Sequence, residues 1–161
     1  MNAPLVIFFV GNPSRGDDAL GPELCGRLGE WLENAGLPDR VELIEDFQLQ
    51  IEHALDLSGR RLALFVDAGA ETPAPFVFRQ IEASTAVAHT THALTPEAVL
   101  QVAQQMGETP PPAFVLCVRG ESFALGAGLS PQSAAAAEAA LAFLKDLCHQ
   151  PQLPDWQAVQ R

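Results

Sequence analysis

Long hydrophobic runs are missing from this sequence. The longest, Pro4 to Val10, falls far short of the roughly 18 residues that cross a bilayer. No basic stretch precedes it as in a secretory signal, so a cytoplasmic protein without a membrane partner is expected. Basic residues are scarce as well: 9 Lys and Arg against 20 Asp and Glu leave a net charge of -11. That balance repels phosphate backbones and anionic lipid, and it argues against nucleic acid as a partner. Cysteine is limited to Cys25, Cys117 and Cys148, widely spaced and without a Cys-x-x-Cys pair. Such usage fits a reducing compartment and not a zinc knuckle, and packing is the plainest role for all three. There is no Gly-x-Ser-x-Gly elbow, and nothing pairs Ser122 with a base, which leaves no serine triad to argue for.

What is present is a globular composition, 48% hydrophobic and 18% charged over 161 residues. A chain of this length buries about 70% of its unfolded surface in one domain without disulfides or a structural metal. Leu5 to Val10 is a continuous β-prone run stopped by Gly11, Asn12 and Pro13, which reads as a central strand covered on both faces. A helix follows, with Pro22 in its first turn, Leu24, Leu28, Trp31 and Leu32 at helical spacing, and an end near Gly36. Val41 to Ile44 and Leu62 to Val66 read as further strands, with a short helix over Leu49 to Leu57 between them. Phe76 to Ile81 alternates like an edge strand, and Ala113 to Val118 reads as another strand after Pro110, Pro111 and Pro112. Thr95-Pro96 and Ser130-Pro131 are helix starts, the second opening an alanine-rich helix to about Cys148. Strands alternating with helices predict a single-domain α/β three-layer sandwich with a mostly parallel sheet of about five strands, spanning residues 1–150. Residues 151–161 are expected to form a loose tail.

In such sheets ligands bind outside the carboxyl ends of the strands. The first strand delivers Gly11-Asn12-Pro13-Ser14-Arg15-Gly16-Asp17-Asp18-Ala19-Leu20-Gly21 to that rim. The loop lacks the Gly-Lys-Ser/Thr of a phosphate-cradling loop and carries two carboxylates where phosphate would sit, so a cation suits it better. The plainer reading is that Asp17 and Asp18 only begin a helix, worth about 0.3–1 kcal/mol each. Asp67 directly follows the third run, and His89 and His92 lie in a polar loop before Thr95. Singly, Asp67 reads equally well as a turn-former and the histidines as surface residues. Together, three separate crossovers carry Asp18, Asp67 and His92 toward one rim, and two carboxylates with an imidazole form a ligand set for a borderline divalent ion with open positions.

The Gly-Asn-Pro-Ser-Arg-Gly-Asp-Asp-Ala-Leu-Gly loop, Val66-Asp67-Ala68 and His92-Ala93-Leu94, in this order over about residues 5 to 147, resemble the hydrogenase maturation endopeptidases. These enzymes trim the C-terminal extension of a nickel-iron hydrogenase large subunit. The resemblance implies an α/β fold, a hydrogenase large-subunit precursor as partner, and Asp18, Asp67 and His92 as the metal-binding and catalytic set. It also implies nickel delivered by the substrate, with another divalent ion able to take its place; a monomer is expected. Many members carry Glu where this chain has Asp18, and the shorter arm leaves Asp17 as a substitute ligand or, like Asp67, a general base. Asp46-Phe47-Gln48-Leu49-Gln50-Ile51-Glu52-His53 replaces a glycine-rich segment of several relatives and looks like the branch serving cytoplasmic NAD(P)-linked hydrogenases; His53, beside Glu52, reads either as facing the site or, the favoured reading, as a helix-surface residue. The alternatives are a non-enzymatic metal-dependent checkpoint or chaperone that binds the large subunit without cutting it, and a nucleotide-sensing module.

Overall fold

Apolar residues in unbroken runs need cover on both faces, and the first and third runs take the middle of a five-stranded sheet. The computed structural model describes residues 2–84 and 94–161. The strands are β1 (Leu5–Val10), β2 (Val41–Asp46), β3 (Leu62–Gly69), β4 (Phe76–Ile81) and β5 (Ala113–Arg119), in the order β2-β1-β3-β5-β4. All neighbours are parallel except β4, which runs antiparallel to β5 at one edge. The mostly parallel three-layer architecture read from the sequence is the one found.

Helices α1 (Leu20–Ala35) and α3 (Pro131–His149) cover one face, over a core containing Phe9, Leu24, Leu28, Leu116 and Leu144. The other face is covered by α2 (Pro96–Gln105) and a 3-10 segment, Ile51–Leu57, over Val6, Phe8, Phe65 and Val99. Both predicted starts cap as expected: Thr95 Oγ1 accepts from the Ala98 N–H at 3.1 Å and Ser130 Oγ from the Ser133 N–H at 3.2 Å. Gly36 closes α1 with φ 73, in the left-handed region where glycine carries no Cβ penalty. One element differs in kind: the segment expected as a short helix winds as 3-10 and not α.

The tail is not loose. Helix α4 (Leu153–Ala158) brings Trp156 into the core at 0% exposure, against Phe78 and Phe114, with its Nε1–H donating to the Leu147 and Gln150 carbonyls. Arg161 then exchanges two backbone hydrogen bonds with Phe78, so the outer edge of β4 is partly paired. The expectation failed because one tryptophan among polar residues leaves no periodic signal, yet a single aromatic of this size dominates the docking energy. Trp156→Ala is expected to lower stability by about 3–5 kcal/mol, the usual cost of emptying an aromatic site. A change below about 1 kcal/mol in urea unfolding would show that the tail contributes little.

Candidate active site

Register places the site. Asp46, the last residue of β2, pairs with Val10, and Val66 of β3 pairs with Phe9, so Asp67 comes one residue later at the level of Val10. Side chains alternate along strands, and Ile44, Phe8 and Phe65 are paired across the sheet and pack on the α2 side. Two residues further on, Asp46 and Asp67 therefore face that same side, separated by β1 and so about 10 Å apart at the backbone. The strand β3 runs three residues beyond its apolar stretch, and Asp67 is still within the ladder, opposite Cys117.

Asp67 keeps exposed surface, yet its carboxyl forms part of the wall of a cavity of about 340 Å³ lined mainly by apolar side chains, including Val10, Phe65 and Leu94. Burial pushes its pKa up to about 7; the Ala68 N–H, donating to Asp67 Oδ1 at 2.7 Å, opposes this, and the charge of Asp18 adds to the rise.

Asp18 is held from below. The Asn12 N–H donates to its Oδ2 at 2.8 Å, Asn12 Oδ1 in turn accepts from the Ser14 N–H, and the Asp18 N–H donates to the Arg15 carbonyl. Glycine is required in this loop: Gly11 has φ 154, and a Cβ there would collide with the Asp18 carbonyl oxygen. Asp18 lines a second cavity, about 450 Å³, with Arg15, Asp46 and Gln48, and Gln48 also lines the cavity of Asp67.

Asp17 points the other way. It is fully buried, with Oδ1 accepting from the Ser130 N–H and Oδ2 from the Glu121 and Ser122 N–H groups and the Ser130 hydroxyl, all between 2.7 and 2.9 Å. Burial alone would raise its pKa, but these donors together hold it well below the usual carboxylate range. The carboxylate is thus occupied in fastening the 3-10 turn Gly16–Ala19 to the loop before α3, a structural role that does not suit the substitute ligand or base considered above. Its four donors lie over a hundred residues away, so sequence could not separate it from Asp18.

His89 and His92 lie outside the described residues. Leu94, two residues after His92, donates its N–H to the Leu49 carbonyl at 3.3 Å and lines the cavity of Asp67. Among the described residues, no three His, Cys, Asp or Glu side chains group closely enough to hold a metal ion. His53, read mainly as a surface residue, is instead 6% exposed and packs edge-on against Phe8 at 5.7 Å. The cysteines behave as packing residues: burial pushes the Cys25 thiol up to about 11 and Cys148 to about 12, far from reactive thiolates. Among the described residues no helix is long and apolar enough to cross a membrane.

The fold is that of solved hydrogenase maturation endopeptidases. The hydrogenase maturating endopeptidase HybD from E. coli is 23% identical with a TM-score of 0.69, the match covering 92% of this chain and 93% of that one. The [NiFe] hydrogenase maturation protease HycI from Thermococcus kodakarensis KOD1 gives 22% and 0.69, over 92% and 94%. A hydrogenase 2 maturation peptidase from a Thaumarchaeota archaeon gives 23% and 0.62, over 90% and 97%. At these identities the likeness is one of fold. No protein-family model matches the sequence, and no curated protein matches it.

Proposed function

We propose that this chain is an endopeptidase that removes the C-terminal extension of a nickel-loaded [NiFe] hydrogenase large-subunit precursor. The observation that carries the reading is the placing of Asp18, in the turn that follows β1, and of Asp67, at the end of the adjacent parallel strand β3, such that the charge of Asp18 acts on Asp67, in a fold shared with maturation endopeptidases. A carboxylate whose ionisation is made costly by burial and by a neighbouring negative charge, as at Asp67, is relieved by a cation, so the donor chemistry fits a divalent ion. In this reading Asp18, Asp67 and His92 meet the nickel that the precursor carries. The ion would polarise the nearby carbonyl. The protein's own part is to orient the precursor's cleavage segment and keep two charges fixed at the rim. Exposed Phe47 at that rim, with exposed Ile51 and Leu55 on the 3-10 segment that follows, favours a protein over a small molecule as substrate.

The test is to incubate the purified protein with nickel-loaded and nickel-free precursor and follow precursor mass. Loss of the extension from the loaded form alone is expected. His92→Ala is expected to abolish that loss with an unchanged thermal unfolding curve; trimming at the normal rate would remove His92 from the site. A persistent complex with no loss of mass would overturn the peptidase reading in favour of a checkpoint or chaperone.

A further inference from the structure

Of the carboxylates at the rim, Asp17 is saturated by four protein donors and Asp18 and Asp67 are committed to the cation by the reading above. One more faces the same cavity as Asp18. Asp46 ends β2 in register with Val10, on the Asp67 side of the sheet, and its side chain is 44% exposed. Its Oδ1 accepts from the Phe47 N–H at 2.7 Å, and its Oδ2 lies 3.4 Å from His53 Nε2.

The imidazole is not free to choose its state. His53 Nδ1 accepts from the Gln50 N–H at 2.8 Å while the His53 N–H donates to the Gln50 carbonyl at 3.1 Å. A neutral ring that accepts at Nδ1 carries its proton on Nε2, the atom turned to Asp46. The ring is clamped by Phe8 edge-on and by the turn it caps, so Nε2 stays turned toward Asp46 Oδ2, 3.4 Å away, on the carboxylate whose other oxygen is held by the Phe47 N–H. With Nδ1 engaged and Nε2 protonated, His53 is no base; Asp46 lines the cavity and keeps part of its carboxyl exposed there.

We propose that Asp46 is the general base of the peptidase site and His53 its positioning residue. This rests on the peptidase reading. Asp46 takes a proton from the attacking water as the water oxygen bonds to the scissile carbonyl carbon. It then returns that proton to the amine nitrogen as the carbon–nitrogen bond breaks, so a water molecule is added across one peptide bond and the carboxylate is regenerated.

Two histidine variants split the ring's two jobs. In His53→Asn the short amide oxygen still reaches the Gln50 N–H but nothing reaches Asp46; in His53→Gln the longer amide restores a donor where Nε2 stood. With nickel-loaded precursor, Asp46→Asn is expected to lower kcat by about 10²–10⁴ with KM within about twofold, the range for losing a general base. His53→Asn should lower kcat by a smaller factor, about 10-fold or more, and His53→Gln should recover most of it, as for partners that orient an active group. Asp46→Asn with wild-type kcat, or with only KM raised, would overturn the proposal. So would equal loss in both histidine variants when each unfolds as the wild type does. An inactive wild type would instead overturn the peptidase reading itself.

Discussion

Asp67→Asn is expected to abolish precursor trimming while making the metal-free protein more stable than the wild type at pH 8. The substitution keeps the shape of the side chain and removes the charge that, in the proposed reading, holds a cation. Even partners that only orient a metal ligand are worth about 10–100-fold, so losing a ligand should cost at least about 100-fold in processing rate. The stability effect has the opposite sign. Burial, and next the charge of Asp18, set the folded-state pKa near 7 against an ordinary 3.8. Between these values the folded chain retains a proton that the unfolded chain has released, so stability falls as pH rises through that window. The carboxyl's full contribution is present below about 4 and gone above 7, where the folded state carries a poorly solvated charge. Asparagine never ionises, so its advantage should open across that window and vanish below it. Urea unfolding of metal-free wild type and variant at pH 5 and pH 8 measures this; parallel pH dependence of the two would show that Asp67 is not desolvated in solution.

Asp17→Ala should be the most destabilising single substitution at the rim. It strands three backbone N–H groups and the Ser130 hydroxyl where water has little access. A buried donor left without an acceptor costs about 1–3 kcal/mol, and these four share one relaxing loop, so about 3–5 kcal/mol in total is expected at pH 7. Here the folded pKa is depressed, so the stabilisation is present above the unfolded value near 4 and is lost as pH falls through the folded one. The gap between wild type and variant in urea unfolding should accordingly narrow below pH 4. The variant should also lose activity, since the turn carrying Asp18 is fastened through Asp17 and through the Asp17 N–H to Ser122 carbonyl bond at 2.7 Å. A stable, active Asp17→Ala would show that the loop before α3 holds that turn without the carboxylate.

Gly16 illustrates why such a contact escapes sequence reading. Its φ of 57 is left-handed, and a Cβ there would meet the Ser122 carbonyl, so the glycine serves a chain segment more than a hundred residues distant. From sequence it is simply one of three glycines in a loop. The neighbouring pair Asp17-Asp18 is equally opaque, because a 3-10 turn rotates successive side chains by about 120°, sending one carboxylate into the protein and the other to the rim.

The order of strands and helices, the two covered faces, the caps at Thr95 and Ser130 and the placing of Asp67 at the end of a central strand were determined by the sequence alone. Each depends on neighbours within a few residues: unbroken apolar runs, 3.6-residue spacing, a hydroxyl before a proline. The division of labour between Asp17 and Asp18, the burial of His53 beside Asp46 and the docking of Trp156 were decided only by tertiary structure. In each, the partner that gives the residue its meaning comes from another element, and a carboxylate, an imidazole or an indole has the same local signature whether it meets solvent, a cavity or a ring of backbone donors.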